Sequence, residues 1–202
     1  MLFRSLQWLA NQEEIEWMEE RLWVELQNDV ADTIMNADDL WDQTIVSGVN
    51  SSWNSVDGTG IIVTVADSGL DSGTNDSTMH ADFRDHIVDV VSWGMSSSDA
   101  TACGSPADDG ASDEDGHGTH VAGSVLGDGT NSSGNIKGIA PEARLYFQAI
   151  GVYCQAANGG SGAITLLGIP SNYTELFKAG ADNGSRVHTN SWGADVSGIY
   201  TI

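Results

Sequence analysis

Two side chains, Asp67 and His117, stand where an acid–base pair could be assembled. Asp67 directly follows residues 61–66, a continuous apolar and β-branched run that predicts a strand buried on both faces. In α/β folds, active groups lie at the carboxyl edge of such strands, and Gly69 lets the chain turn there. His117 opens residues 118–126, which predict a helix rich in small residues. A carboxylate facing this imidazole would fix its tautomer and leave the second nitrogen to take a proton from a hydroxyl.

A metal site is the alternative chemistry for the segment around His117. His120 and the upstream carboxylates Asp113, Glu114 and Asp115 offer further ligands. The metalloprotease pattern needs two histidines four residues apart with a Glu between them, whereas this chain has His-Gly-Thr-His. The spacing therefore disfavours a metal-dependent hydrolase. We interpret His120 as a structural histidine that is hydrogen-bonded inside the fold.

The two motifs resemble those of a known enzyme family. The sequences DSG (67–69) and HGTHVAG (117–123), in this order, are similar to the Asp and His motifs of the subtilisin-like serine proteases, or subtilases. The sequence RVHTNSWG (186–193) resembles the segment that forms one wall of the subtilase substrate cleft. Residues 188–194, with NDSTMH (75–80) and Phe147-Gln148, are most similar to the oxidatively stable alkaline protease branch. The resemblance covers about residues 28–202.

The resemblance implies a role for each matching residue. Asp67 would orient His117, and His117 would act as general base and then general acid for a nucleophilic serine that attacks a peptide bond. Ser191, Trp192 and Gly193 would hold a peptide or protein substrate as an added strand.

The oxyanion Asn and the nucleophilic Ser of the family have no counterpart in the 202 residues. We therefore expect a fragment of a secreted endopeptidase whose serine lies beyond Ile202, and we expect the fragment alone to be inactive. The alternative is a catalytically silent protein of the same fold that binds peptides.

Alternating strand and helix signals predict an α/β fold: a doubly wound parallel sheet with helices on both faces, incomplete at the C-terminus. Residues 1–27 are predicted to be a propeptide tail or an extra N-terminal helix, and residues 28–202 the N-terminal part of a peptidase domain. Asp67 and His117 are 50 positions apart, more than in compact subtilases. We interpret the excess, the acidic residues 95–115, as a surface insertion.

The charge balance limits the possible partners. With 29 acidic and 7 basic residues the net charge is −22, which excludes nucleic acid and disfavours anionic membranes as partners. No apolar run is long enough to cross a membrane, and we expect an extracellular protein. Three explanations of the acidity remain open. The protein stays soluble in salty water, it is an acidic secreted enzyme without such adaptation, or its carboxylates bind calcium.

Two further features are left open by the sequence. Cys103 and Cys154 would form a disulfide in a secreted protein or remain as two free thiols. The resemblance implies structural calcium but no cofactor for catalysis. Residues 128–131, DGTN, offer oxygen ligands but are equally an ordinary surface turn, so no residue is assigned to a metal.

Overall fold

The structure, a computed structural model, describes residues 28–41, 56–104, 108, 110–154 and 162–193. The helices are α1 (Asn28–Met35), α2 (Ala37–Trp41), α3 (Ser97–Cys103), α4 (His117–Leu126) and α5 (Tyr173–Asp182). The strands are β1 (Ile62–Asp67), β2 (Ile87–Ser92), β3 (Arg144–Ala149), β4 (Val152–Cys154), β5 (Ala163–Thr165) and β6 (Val187–Thr189). The N-terminal segment predicted as a propeptide tail or extra helix, residues 1–27, lies outside the described residues.

The main sheet is parallel and has β1 in its interior. Its strand order is β2-β3-β1-β6, and β1 pairs with β3 and β6 in parallel register. The short strands β4 and β5 form a separate antiparallel pair. The interior position explains the apolar run of β1, because this strand has a neighbour on each side and is covered on both faces.

Side chains of β1 alternate between two hydrophobic cores. Val63 and Val65 share a core with Leu126 of α4, whereas Ala66 packs against Leu176 of α5. Helices therefore cover both faces of the sheet, which confirms the predicted α/β arrangement. The same alternation places Asp67 on the face that carries α4, because successive strand residues point to opposite faces.

The start of α5 is fixed by a side-chain cap. Asn172 precedes the helix, and its side-chain oxygen accepts a hydrogen bond from the Thr174 backbone N–H at 3.1 Å. Such caps satisfy one of the backbone donors that a helix start leaves unpaired. The helix ends at Asp182, and Asn183 is its C-cap residue.

The described residues of the segment 95–115 lie mostly at the surface, as predicted, but three of them are buried. Met95 and Cys103 are buried with Val152, and a disulfide joins Cys103 to Cys154 with a Cα–Cα distance of 4.7 Å. Ala111 is buried in the core beneath α4. These apolar anchors are few and widely spaced, so the acidic residues between them dominate the local composition. Of the two alternatives for Cys103 and Cys154, the structure thus shows the disulfide and not two free thiols.

Candidate active site

Asp67 and His117 meet at the carboxyl edge of β1. The Nδ1 atom of His117 lies 2.6 Å from Oδ1 of Asp67, so the hydrogen bond predicted from the sequence is present. The Asp67 side chain is 1% exposed and that of His117 is 48% exposed. A buried carboxylate thus holds one ring nitrogen of a histidine whose ring is accessible to solvent. This arrangement can orient the imidazole as a base.

Glycines allow the elements that carry the pair to approach each other. A Cβ on Gly118, in the first turn of α4, would lie 2.3 Å from the carbonyl oxygen of Gly69 and 3.1 Å from Cβ of Asp67. A Cβ on Gly69 would lie 2.4 Å from the carbonyl oxygen of Ser112. The turn after β1 is therefore enclosed between α4 and the segment at Ser112. Neither Gly69 nor Gly118 could carry a side chain without a clash.

The surroundings of the pair favour a charged histidine. The hydrogen bond to Asp67 raises the pKa of His117 above its ordinary value. Burial opposes this increase, and the negative charges of Asp67, Asp115 and Asp113 add to it. The Ser68 backbone N–H donates to Oδ1 of Asp67 at 2.7 Å, while buried Oδ2 has no partner among the residues described. His117 therefore loses its proton, and becomes a base, at a higher pH than an ordinary imidazole.

The part of the chain that the structure describes supplies no hydroxyl to the second nitrogen of His117. Ser68 is buried, and its hydroxyl donates to Asp113 and accepts from the Gly118 N–H. Ser191 is exposed, and no hydrogen bond joins it to the imidazole. Among the described residues, the site thus pairs a buried carboxylate with an accessible imidazole and offers that imidazole no hydroxyl.

The three residues predicted to bind substrate follow β6. Trp192 donates its Nε1–H to the carbonyl oxygen of Ala66 at 2.8 Å and packs partly buried on the core that contains Leu176. Ser191 and Gly193 on either side are exposed, and a Cβ on Gly193 would meet no atom of the described residues within 4 Å. Trp192 thus anchors this segment to β1 at Ala66, the residue before Asp67. The substrate-binding role of the three residues stays a prediction.

The interpretation of His120 as a histidine inside the fold is wrong. Gly118, Ala122 and Leu126 form the buried stripe of α4, at the four-residue spacing of one helix face. His120 is two residues beyond Gly118, which places it about 200° around the helix, and it is exposed. It lines a cavity of about 400 Å³ together with His80. The stripe of small and apolar residues in the sequence was the signal that could have shown that His120 lies on the exposed face of α4.

The metal alternatives gain no support from the described residues. These include no group of three or more His, Cys, Asp or Glu side chains that could hold a metal ion. In the turn at residues 128–131, Asp128 Oδ1 accepts from the Thr130 N–H at 2.7 Å and Oδ2 accepts from its hydroxyl at 2.9 Å. The turn is thus closed by its own hydrogen bonds, as an ordinary surface turn is, and structural calcium stays a prediction. None of the described helices is both long and apolar enough to cross a membrane.

Comparison with known proteins gives one family. The sequence profile of the Subtilase family matches residues 58–200. The major intracellular serine protease of Bacillus subtilis (strain 168) is 34% identical over 113 residues, which are 55% of this chain and 31% of that protein. Subtilisin of Bacillus sp. (strain TA39) is 35% identical over 89 residues, 44% of this chain and 18% of that protein. The serine protease/ABC transporter B family protein tagA of Dictyostelium discoideum is 32% identical over 89 residues, 43% of this chain and 5% of that protein. The chain thus spans less than a third of the length of each of these relatives.

Proposed function

The chain belongs to the Subtilase family, and from this premise we propose that it is part of a serine endopeptidase that uses an Asp-His-Ser triad. The observation that carries the proposal is the 2.6 Å hydrogen bond between buried Asp67 and half-exposed His117. The comparisons do not separate the branches of the family. Membership of the oxidatively stable alkaline branch therefore stays a prediction.

In this mechanism His117 is the general base. Its Nδ1–H donates to Asp67, which fixes the tautomer, and its Nε2 takes the proton of a serine hydroxyl as that oxygen attacks the peptide carbonyl. Asp67 stabilises the imidazolium, which then gives the proton to the leaving amine. We place the serine beyond Ile202, because the buried hydroxyl of Ser68 is already hydrogen-bonded to Asp113 and Gly118. The proposed chemistry uses no cofactor.

The proposed substrate is a peptide or protein chain bound along residues 191–193. An extended peptide can add to an exposed chain segment through main-chain hydrogen bonds, so that many sequences are accepted. The fixed indole of Trp192, and the space that the described residues leave open at Gly193, support this assignment.

We propose that the protein works outside the cell. The Cys103–Cys154 disulfide supports this, because disulfides persist in oxidising compartments. One of the similar proteins is named an intracellular protease, so family membership alone does not decide the compartment. Residues 1–27 would then be the tail of a propeptide acting in cis.

Hydrolysis of a casein-type substrate tests the proposed function. The full-length protein that contains this chain is expected to cleave casein, whereas residues 1–202 alone are not. Asp67→Asn in the full-length protein should lower kcat by about 10⁴-fold, because the imidazole is then held in the wrong tautomer. A full-length protein that binds peptides without cleaving them would support the silent alternative.

A further inference from the structure

We propose that Asp113 is a positioning residue, which holds the start of α4 against the end of β1 so that the His117 ring meets Asp67. This inference rests on the proposed function for its catalytic meaning. The sequence offers Asp113 only as a possible metal ligand, and no hydrogen bond of the described residues joins it directly to Asp67 or His117.

Both carboxylate oxygens of Asp113 are filled by hydrogen bonds. Oδ1 accepts from the Ser68 hydroxyl at 2.8 Å and from the Gly116 N–H at 3.0 Å. Oδ2 accepts from the N–H and the hydroxyl of Thr119, at 2.8 and 2.5 Å. Gly116 occupies the N-cap position of α4 but has no side chain with which to cap it. Asp113 therefore caps this helix from outside, with a negative charge at the end where the helix dipole favours one.

Ser68 connects Asp113 to the catalytic carboxylate. Its hydroxyl donates to Asp113 and accepts from the Gly118 N–H at 2.9 Å, so one side chain joins the cap to the first turn of α4. The backbone N–H of the same residue donates to Asp67. Ser68 thus holds the end of β1, which carries Asp67, against the start of α4, which carries His117.

The backbone of Asp113 closes a second link to the turn after β1. Its N–H donates to the carbonyl oxygen of Asp71 at 2.9 Å, and the Asp71 N–H donates to the Thr119 hydroxyl at 2.8 Å. Asp71 has a φ of 43°, in the left-handed region that few non-glycine residues adopt. Asp113 therefore fixes both the turn and the helix that the active site requires.

Charge and position must be separated in any test, because Asp113 also acts on His117 through space. Asp115 is the matched control. It is exposed, it carries the same charge, and it too raises the pKa of His117, yet it makes no hydrogen bond among the described residues that joins α4 to β1. Ser68→Ala is the complementary variant, since it removes the link without changing any charge.

The test is an NMR titration of His117 in the full-length protein that contains this chain, and it needs no measurement of activity. We expect a strongly downfield Nδ1 proton in the wild type and in Asp115→Asn. Its resonance should broaden or vanish in Asp113→Asn and in Ser68→Ala, and Asp113→Asn should lower the pKa of His117 more than Asp115→Asn does. Because activity is not measured, this result is independent of whether the parent protein is a protease.

Two outcomes would overturn the proposal. One is a folded Asp113→Asn protein, judged by amide dispersion, with the wild-type Nδ1 resonance and the same pKa change as Asp115→Asn. The other is a folded Ser68→Ala protein with an unaltered Nδ1 resonance. If the Asp113→Asn protein does not fold, the result for Ser68→Ala alone tests the proposal. In an active full-length protein, Asp113→Asn should lower kcat by about 10–100-fold with KM little changed, since misplacement of about 1 Å has such effects.

Discussion

At the scale of single residues, the site depends on the contrast in exposure between Asp67 and His117. The carboxylate is buried under α4 and cannot exchange its hydrogen bond for one to water, whereas half of the imidazole faces solvent. A carboxylate in such surroundings interacts more strongly with a histidine than it would in water. The pair is therefore fixed on one side and free to react on the other.

The hydrogen bond to Asp67 is the largest cause of the raised pKa of His117, and the charge of Asp115 is expected to add to its effect on the acidic limit of activity. Asp115 contributes to the raised pKa of His117, and only the neutral imidazole can act as the base. Asp115→Asn should lower this pKa and shift the acidic limb of the kcat/KM profile of the full-length protein to lower pH. Glu114→Gln is the control, because Glu114 is an exposed neighbour that is not among the causes of the shift. An unchanged limb, or a shift to higher pH, would contradict the prediction.

The same shift links protonation to folding. Because the pKa of His117 is raised in the folded state, its protonation stabilises the fold at pH values below the ordinary histidine pKa. This contribution is lost as the pH rises through the folded-state pKa. The imidazole therefore stabilises the protein most where it cannot act as a base.

At the scale of elements, the contact between α4 and the turn after β1 leaves no room for a side chain. Gly118→Ala would bring Cβ to 2.3 Å from the carbonyl oxygen of Gly69, and this backbone is itself enclosed by Ser112. We expect destabilisation by about 1–3 kcal/mol, as for an overpacked core, with loss of the Asp67–His117 hydrogen bond. Urea unfolding measures the first effect and the Nδ1 proton resonance the second.

Gly123→Ala is the matched control in the same helix. Among the described residues, a Cβ there would meet only Cζ of Phe83, at 3.9 Å, so the substitution fits and should raise stability by about 0.5–1 kcal/mol through helix propensity. Equal effects of the two substitutions would show that close approach at Gly118 does not control the site.

Elements with a clear period could be predicted from the sequence. The apolar run before Asp67, the Asn172 cap and the small residues of α4 each specify a local structure, and with them the edge where the pair meets. The antiparallel pair β4–β5 was not predicted, because strands of three residues show no period. The role of Asp113 was missed for a different reason: its donors come from both sides of the turn and lie up to 45 residues away.

At the scale of the whole molecule, the dominant property is charge. Lys178 pairs with Asp182 on the exposed face of α5, but 7 basic residues cannot neutralise 29 acidic ones. Mutual repulsion of the carboxylates opposes the compact state, and salt screens it.

The thermal midpoint of the full-length protein is therefore expected to rise with sodium chloride. The increase should be largest between about 0.01 and 0.15 M, where the screening length falls from about 30 to about 8 Å. Sucrose, which stabilises proteins without screening charge, is the control. A midpoint that stays flat or falls with salt would count against salt adaptation.

Labelling by a serine-directed fluorophosphonate tests the central claim most directly, because the probe reacts only with an activated serine. We predict labelling of the full-length protein, loss of labelling in His117→Ala, and retention in His120→Ala, which removes the exposed histidine one turn further along α4. Residues 1–202 alone should not be labelled, since Ser68 is buried and hydrogen-bonded to Asp113. Labelling that survives His117→Ala, or labelling of any serine within residues 1–202, would contradict the account.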